Sequence, residues 1–296
     1  MAWLKFTVAA GKGQLDHVSG CMNAAGAQAI TIQDAGDSPL FDRLDGEMPV
    51  WDTSMVTGLF EADQQAGAVV SRLEKAFGPE PLPNYHIEEL PEQDWERSWM
   101  ERFQPMQYGD GLWICPTWSE PPDPAATNIM LDPGLAFGSG SHETTRMCLR
   151  WLASQDVSGK TVIDYGCGSG VLAIAALKLG AKHAAGIDID QQALKASRNN
   201  AETNHVSDRL ELHQPADVAG LEKADIVFAN ILAGTLVELK SELKSLCKDE
   251  GVLVLSGILQ SQKELIVDNY REPGFMIDIH EDGDWVMITL QFRAAG

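Results

Sequence analysis

Between Thr161 and Leu179 the chain passes from an apolar strand into a glycine turn and directly into an apolar helix, an order that few folds accommodate. Thr161-Val162-Ile163-Asp164-Tyr165 reads as a buried strand, Gly166-Cys167-Gly168-Ser169-Gly170 as the turn, and Val171 to Leu179 as the helix, stopped by Gly180. Glycine lets the backbone approach a bound group closely, and a helix start offers free N–H groups and the positive end of its dipole. The unit is therefore built to hold an anionic group, within an open α/β sheet.

The form of the turn narrows the ligand. A nicotinamide fingerprint, G-x-G-x-x-G, requires glycine where Val171 stands; the pattern here is Asp-x-Gly-x-Gly-x-Gly. No Gly-Lys-Ser/Thr follows, which opposes a Walker loop. The next strand, Ala184 to Ile187, ends at Asp188, about twenty residues after Gly166, where doubly wound folds place an acid on ribose hydroxyls. Asp190 is placed to cap the helix Gln191 to Asn204. The alternative, that both acids merely end a strand and cap a helix, is weaker beside this turn. Asp225 to Leu232 reads as a buried strand that stops at Asn230, which should face the reaction centre beyond the strand ends. Gly251 to Ser256 supplies another strand, and Phe275 to His280 with Trp285 to Phe292 a terminal antiparallel hairpin about Gly283. A mostly parallel sheet closed by such a hairpin is the class I methyltransferase arrangement.

The front of the chain follows a different rhythm. Leu4, Phe6 and Val8 alternate as in a strand, and Leu15, Val18, Met22 and Ala25 recur at helical spacing. Ala29 to Gln33 and Met55 to Glu61 read as strands on either side of a Pro/Asp/Gly-rich excursion from Ser38 to Asp52. Ala66, Val69, Val70, Leu73 and Phe77 form a helix stripe stopped by Gly78-Pro79, and Tyr85 to Glu89 adds a strand. The order β-α-β-β-α-β predicts a small ferredoxin-like α+β domain over residues 1–90. Pro91 to Phe103 reads as a helix whose Trp95, Trp99 and Phe103 suit packing better than ligand binding, so residues 91–105 are a connector and 106–296 the second domain.

Composition excludes more than it identifies. A length of 296 residues suits two domains, and 44% hydrophobic with 22% charged residues is ordinary for a soluble globular chain. The opening Met1-Ala2-Trp3-Leu4-Lys5 lacks a basic stretch before an apolar run, and no apolar segment could span a bilayer, so cytoplasmic residence without a membrane is expected. Cys21, Cys115, Cys148, Cys167 and Cys247 form no C-x-x-C pair, and neither a disulfide framework nor a metal site is expected. The formal charge of -21 disfavours direct nucleic-acid binding and fits a basic partner, although acidity for solubility alone explains it equally well.

Three segments together carry a resemblance. They are Leu131-Asp132-Pro133-Gly134-Leu135-Ala136-Phe137-Gly138-Ser139-Gly140-Ser141-His142-Glu143-Thr144-Thr145-Arg146, Asp164-Tyr165-Gly166-Cys167-Gly168-Ser169-Gly170 and Asn230-Ile231-Leu232-Ala233. The glycine motif is common to most class I methyltransferases, but Phe-Gly-x-Gly-x-His-Glu-Thr-Thr-Arg joined to Asn-Ile-Leu is far more selective. Over its whole length the chain resembles the ribosomal protein L-eleven methyltransferase family. The resemblance implies a cytoplasmic protein N-methyltransferase that uses S-adenosyl-L-methionine. It would methylate the N-terminal α-amine and lysine ε-amines of the eleventh large-subunit ribosomal protein, up to trimethylation. It further implies a basic substrate met free before assembly, a substrate-recognising front domain and a monomeric enzyme. By resemblance the cofactor contacts fall to Thr145, Gly166, Asp188 and Asn230; the residues themselves add Gly168 and Phe137 to these and make Asn230, His142 and Thr144 the catalytic candidates. The excursion from Ser38 to Asp52 stands out as an elaboration.

The chemistry can also be reasoned from the residues. A sulfonium methyl is already activated, so the protein must chiefly align an amine lone pair and exclude water. Lysine, with a reference pKa near 10.4, must first lose a proton, and desolvation favours the neutral amine. Asn230 can hold amine hydrogens through its side-chain carbonyl. His142 is read either as a proton acceptor or as a loop-ordering residue, and Phe137 either as a wall for the methylated ammonium or as packing. Rival functions are methylation of another basic protein, or of an amide or nucleobase nitrogen. The latter would want Asn/Asp-Pro-Pro-aromatic where Asn230-Ile231-Leu232-Ala233 stands. A nicotinamide oxidoreductase is opposed by Val171, and a non-catalytic cofactor-binding module by the strand-end Asn230 beside a polar loop.

Overall fold

The computed structural model describes residues 3–35, 53–61, 66–79, 81–90, 103–132, 140–272 and 275–292. The chain divides into two compact units, residues 1–101 and 102–296.

In the first unit, β1 (Trp3–Gly11), α1 (Leu15–Ala24), β2 (Ala29–Asp34), β3 (Thr53–Glu61), α2 (Ala66–Phe77) and β4 (Tyr85–Leu90) follow in that order. The strands form an antiparallel sheet in the spatial order β2-β3-β1-β4, which is the ferredoxin-like topology expected. The period-two signal is the cause: Leu4, Phe6 and Val8 of β1 and Val56 and Phe60 of β3 point to one buried face. There they meet Val18 and Met22 of α1 and Val69, Leu73 and Phe77 of α2. The excursion Ser38 to Asp52 lies wholly outside the described residues, as does all but the last residue of the expected connector helix Pro91 to Phe103.

The second unit opens with a small sheet of which only the last strand is legible in the sequence, as a short apolar run over Asn128 to Leu131. It consists of β5 (Met106–Gln107), β6 (Leu112–Cys115) and β7 (Thr127–Met130), with β6 and β7 parallel. β5 and β6 carry too little periodicity to be legible. There follow α3 (Glu143–Ala153), β8 (Thr161–Tyr165), α4 (Val171–Lys178), β9 (His183–Ile187), α5 (Gln191–Thr203), β10 (Leu210–His213) and β11 (Ala224–Asn230). Next come α6 (Ala233–Glu238), α7 (Lys240–Ser245), β12 (Cys247–Leu259), α8 (Lys263–Tyr270), β13 (Phe275–Asp282) and β14 (Trp285–Phe292). The main sheet has the order β10-β9-β8-β11-β12-β14-β13, with β14 antiparallel to both neighbours and the remaining pairs parallel. This is the class I methyltransferase sheet.

Its inner strands β8, β9, β11, β12 and β14 are buried on both faces over most of their length, which is why they read as nearly continuous apolar runs. The edge strands β10 and β13 are more open. Val162, Ile226, Phe228, Val254 and Met287 look into one core with α3 and α4; Ile163, Val227, Leu253 and Ile288 look into the other with α6 and α8. Strand order reverses between β8 and β11, so a crevice for a ligand is expected beyond their carboxyl ends.

Candidate active site

The carboxyl ends of β9, β8 and β11 lie level, with Ser256 of β12 beside them. Tyr165 pairs with Ile187 on one side and Ala229 on the other, and Asn230 pairs with Ser256. Register therefore brings the glycine turn after β8, Asp188 after β9 and Asn230 at the end of β11 to one edge.

On the cofactor side, Gly166, Gly168 and Gly170 have φ of 77°, 54° and 78°. Only glycine adopts such angles without strain, and a Cβ on Gly166 would also collide with Cγ2 of Ile231. The turn is tied down by Gly166 N–H and Cys167 N–H, which donate to Ile187 O at 2.7 and 3.0 Å. From α5, Ser197 Oγ donates to Gly168 O at 2.8 Å and Asn200 Nδ2 to Ser169 O at 2.9 Å. Asp188 accepts Gly168 N–H on Oδ2 and Asp190 N–H on Oδ1, both at 2.9 Å. Asp190 caps α5 through Gln192 N–H at 2.8 Å, as expected.

This geometry suits an adenosine-bearing cofactor. A carboxylate has about four acceptor positions, and two backbone donors leave Asp188 able to receive a pair of vicinal hydroxyls. Ile189, next to it, is 82% exposed, an apolar surface at the mouth of the crevice.

Beneath the turn lies Asp164, 1% exposed, whose Oδ2 accepts Ala173 N–H at 3.3 Å. Burial pushes its carboxyl up to about 7; the Ala173 hydrogen bond opposes this and the Asp188 charge adds to it.

On the acceptor side, Asn230 Nδ2 donates to Thr145 Oγ1 at 3.2 Å, joining two of the expected residues. The amide nitrogen is thereby occupied and Oδ1 is the group left to accept. Leu232, two residues on, is 56% exposed at the same edge. Thr144 is buried; its N–H donates to His142 Nδ1 at 3.3 Å and its Oγ1 lies 2.9 Å from that nitrogen. His142 is thus the N-cap of α3, and its ring packs edge-to-face on Trp285 with centroids 4.9 Å apart. Because Thr144 N–H must donate, Nδ1 is an acceptor, which places the proton of a neutral ring on Nε2. Arg146, at the end of the His-Glu-Thr-Thr-Arg motif, holds Asp282 of β13 through Nε at 3.1 Å and a second guanidinium nitrogen at 3.0 Å. Phe137 lies outside the described residues.

Residues 2–293 match the family described as ribosomal protein L11 methyltransferase. The chain belongs to this family. It is therefore an S-adenosylmethionine-dependent methyltransferase. It is 48% identical over 289 residues to the ribosomal protein L11 methyltransferase of Alteromonas mediterranea, covering 98% of this chain and 99% of that protein. The protein of the same name from Salmonella newport is 50% identical over 293 residues, with 98% and 99% covered. Among solved structures, a ribosomal protein L11 methylase from Lactobacillus delbrueckii is 34% identical with a TM-score of 0.59, spanning 65% of this chain and all of the other.

Sequence reasoning passed over Ser197 and Asn200, whose turn contacts come from a helix face that looks merely polar. It also passed over Ile189 and Leu232, which differ from core residues only in exposure. The same holds for Ser256, Asp282 and Trp285, which reach the site from distant strands. A usable signal existed for Ile189 and Leu232, since each follows closely on a strand-ending polar residue.

Proposed function

We propose that this methyltransferase modifies ribosomal protein L11 at its N-terminal α-amine and at lysine ε-amines, up to the trimethyl state. Cofactor contacts fall to Thr145, Gly166, Gly168, Asp188 and Phe137, and alignment of the acceptor to Asn230. The observation that carries this reading is the fixed amide of Asn230. With Nδ2 held by Thr145, its Oδ1 projects an acceptor at the carboxyl edge of the sheet, where an incoming amine can donate a hydrogen and turn its lone pair outward.

When bound, S-adenosylmethionine supplies an electrophilic methyl group on a sulfonium. The chain's own residues do the rest. Asp188 grips the ribose side, the glycine turn fits the backbone around the amino-acid side, and Asn230 with nearby carbonyls orients the amine. Water exclusion favours the neutral form of that amine. His142 serves the start of α3 as its cap and keeps Thr144 and Thr145 in place, because its Nδ1 lone pair is already engaged. Bulk solvent then takes the proton.

Residues 1–90 recognise the substrate, 91–105 join the halves, and residues 106–296 perform the transfer. The acidic chain suits a basic ribosomal protein encountered free in the cytoplasm by a monomeric enzyme. Among the described residues no helix is long and apolar enough to cross a membrane. Incubation with labelled S-adenosylmethionine and purified L11, followed by mapping of labelled residues, tests the assignment; no label on L11 would refute it. A fragment beginning at Pro91 should bind cofactor yet fail to label L11, and full labelling by that fragment would remove the front domain from recognition.

A further inference from the structure

Behind the acceptor side stands a short stretch of β12, Ser256-Gly257, that the motifs leave without a role. β12 pairs with β14 as far as Leu255 opposite Ile288 and resumes at Ile258 opposite Val286, so the two residues sit in an irregularity of the ladder. On its other edge Ser256 lies opposite Asn230.

Each of the two residues touches a different part of the site. Ser256 is fully buried, and its Oγ donates to Thr144 O at 3.2 Å, within the first turn of α3 that carries Thr145. Gly257 has φ of 81° and lies against the backbone of Ile231, the residue between Asn230 and Leu232. A Cβ there would fall 3.0 Å from the carbonyl carbon of Ile231, 3.2 Å from its nitrogen, and closer still to its oxygen. The obstacle is a peptide group, which no rotamer change can move aside. Ile231 cannot simply retreat, since its Cγ2 already occupies the space a Gly166 side chain would need. The Asn230–Thr145 hydrogen bond closes the ring from α3 to the Asn-Ile-Leu turn.

We propose that Ser256 and Gly257 are positioning residues for the transfer step: they fix the Asn230 turn and the start of α3 relative to each other without themselves holding cofactor. The proposal rests on the reading that Asn230 orients the amine. A side chain at 257 must displace the Ile231 peptide and swing the Asn230 amide, whereas the contacts of Asp188 lie on the far side of β8 and stay as they are.

The test uses full-length Gly257→Ala and Ser256→Ala proteins, purified L11, single-turnover methylation at saturating cofactor and substrate, and calorimetric binding of S-adenosylmethionine. Gly257→Ala is expected to slow transfer by about tenfold or more, and Ser256→Ala by a few-fold, each a larger loss than the accompanying rise in cofactor Kd, because the change reaches the cofactor only through Thr145 and Gly166. A wild-type rate in folded Gly257→Ala overturns the proposal, as does a loss of affinity that matches the loss of rate. Should Gly257→Ala fail to fold, Ser256→Ala decides, and its unchanged rate is the overturning result. Failure of the underlying reading looks different: Asn230→Ala would then transfer at the wild-type rate. A slow Asn230→Ala beside a normal Gly257→Ala sinks only the positioning role.

Discussion

The hydrogen bond that defines the cofactor side, Gly168 to Asp188, spans 20 residues of chain, whereas those that define the acceptor side span far more. Asn230 reaches Thr145 across 85 residues, Ser256 reaches Thr144 across 112, and Arg146 reaches Asp282 across 136. The first side is assembled within one strand-turn-helix-strand unit whose backbone angles are set by its own glycines. The second exists only once β11, β12 and the β13–β14 hairpin have all docked around α3. Damage on the acceptor side should therefore spread among its members, while damage on the cofactor side should stay local.

The largest expected effect tests the acceptor side directly. Asn230→Ala removes the amide proposed to orient the amine, and misalignment of reactants should then lower the single-turnover rate by about 10²-fold. Cofactor affinity should fall much less. Raising pH should not restore the rate, because a neutral amine remains misaligned. A defect confined to cofactor binding would transfer Asn230 to the other side of the comparison.

Asp188→Ala probes that other side. Loss of charge-assisted hydrogen bonds to the ribose should weaken S-adenosylmethionine binding by about 1.5 to 3 kcal/mol, with fold retained. At saturating cofactor the transfer rate should recover, since nothing on the acceptor side has moved. A rate that stays low at saturation would show that the two sides are coupled through the glycine turn.

The same contrast in span governs what could be read in advance. The strand-turn-helix unit, the Asp188 position and the capping role of Asp190 were legible because each depends on neighbours within one or two elements. Six of the seven strands of the main sheet and the front domain's order followed from periodicity and from glycine and proline punctuation. Not legible were β5, β6 and β10, too short to show a period, and α6 to α8, whose brief segments alternate polar and apolar residues without a clean stripe. Asn230 could be placed at a strand end, but its bond to Thr145 could not, since sequence does not reveal which way an amide turns. His142 was ambiguous for the same reason: a base and a cap want the same residue at the same place, and sequence does not reveal that Nδ1 lies within hydrogen-bond reach of Thr144.

A smaller effect separates those two jobs of His142. As a cap, its loss in His142→Ala should cost about 1 kcal/mol of stability, and His142→Asn, which keeps an acceptor at the N-cap, should recover most of it. Transfer rates should follow stability in this pair. Equal rate loss in both variants, relieved at high pH, would instead identify a general base.

A further effect concerns the proton held under the glycine turn. Asp164 is raised to about 7 by burial, with a contribution from the Asp188 charge, while the unfolded chain releases the same proton near pH 4. Between those values the native state binds more protons than the unfolded state, so this group's stabilising contribution is complete below about pH 4 and is lost as pH rises through about 7. Asp164→Asn cannot titrate and should lack that decline. Comparison of denaturation midpoints between about pH 5 and pH 8 should find the variant gaining on the wild type as pH rises, whatever its offset at the acid end. Acceptor-side variants such as His142→Asn should show no such change of slope, because they leave Asp164 and its surroundings intact. A constant difference between Asp164→Asn and wild type across this range would mean that the buried carboxyl is already ionised at pH 5, held by more than the single Ala173 hydrogen bond.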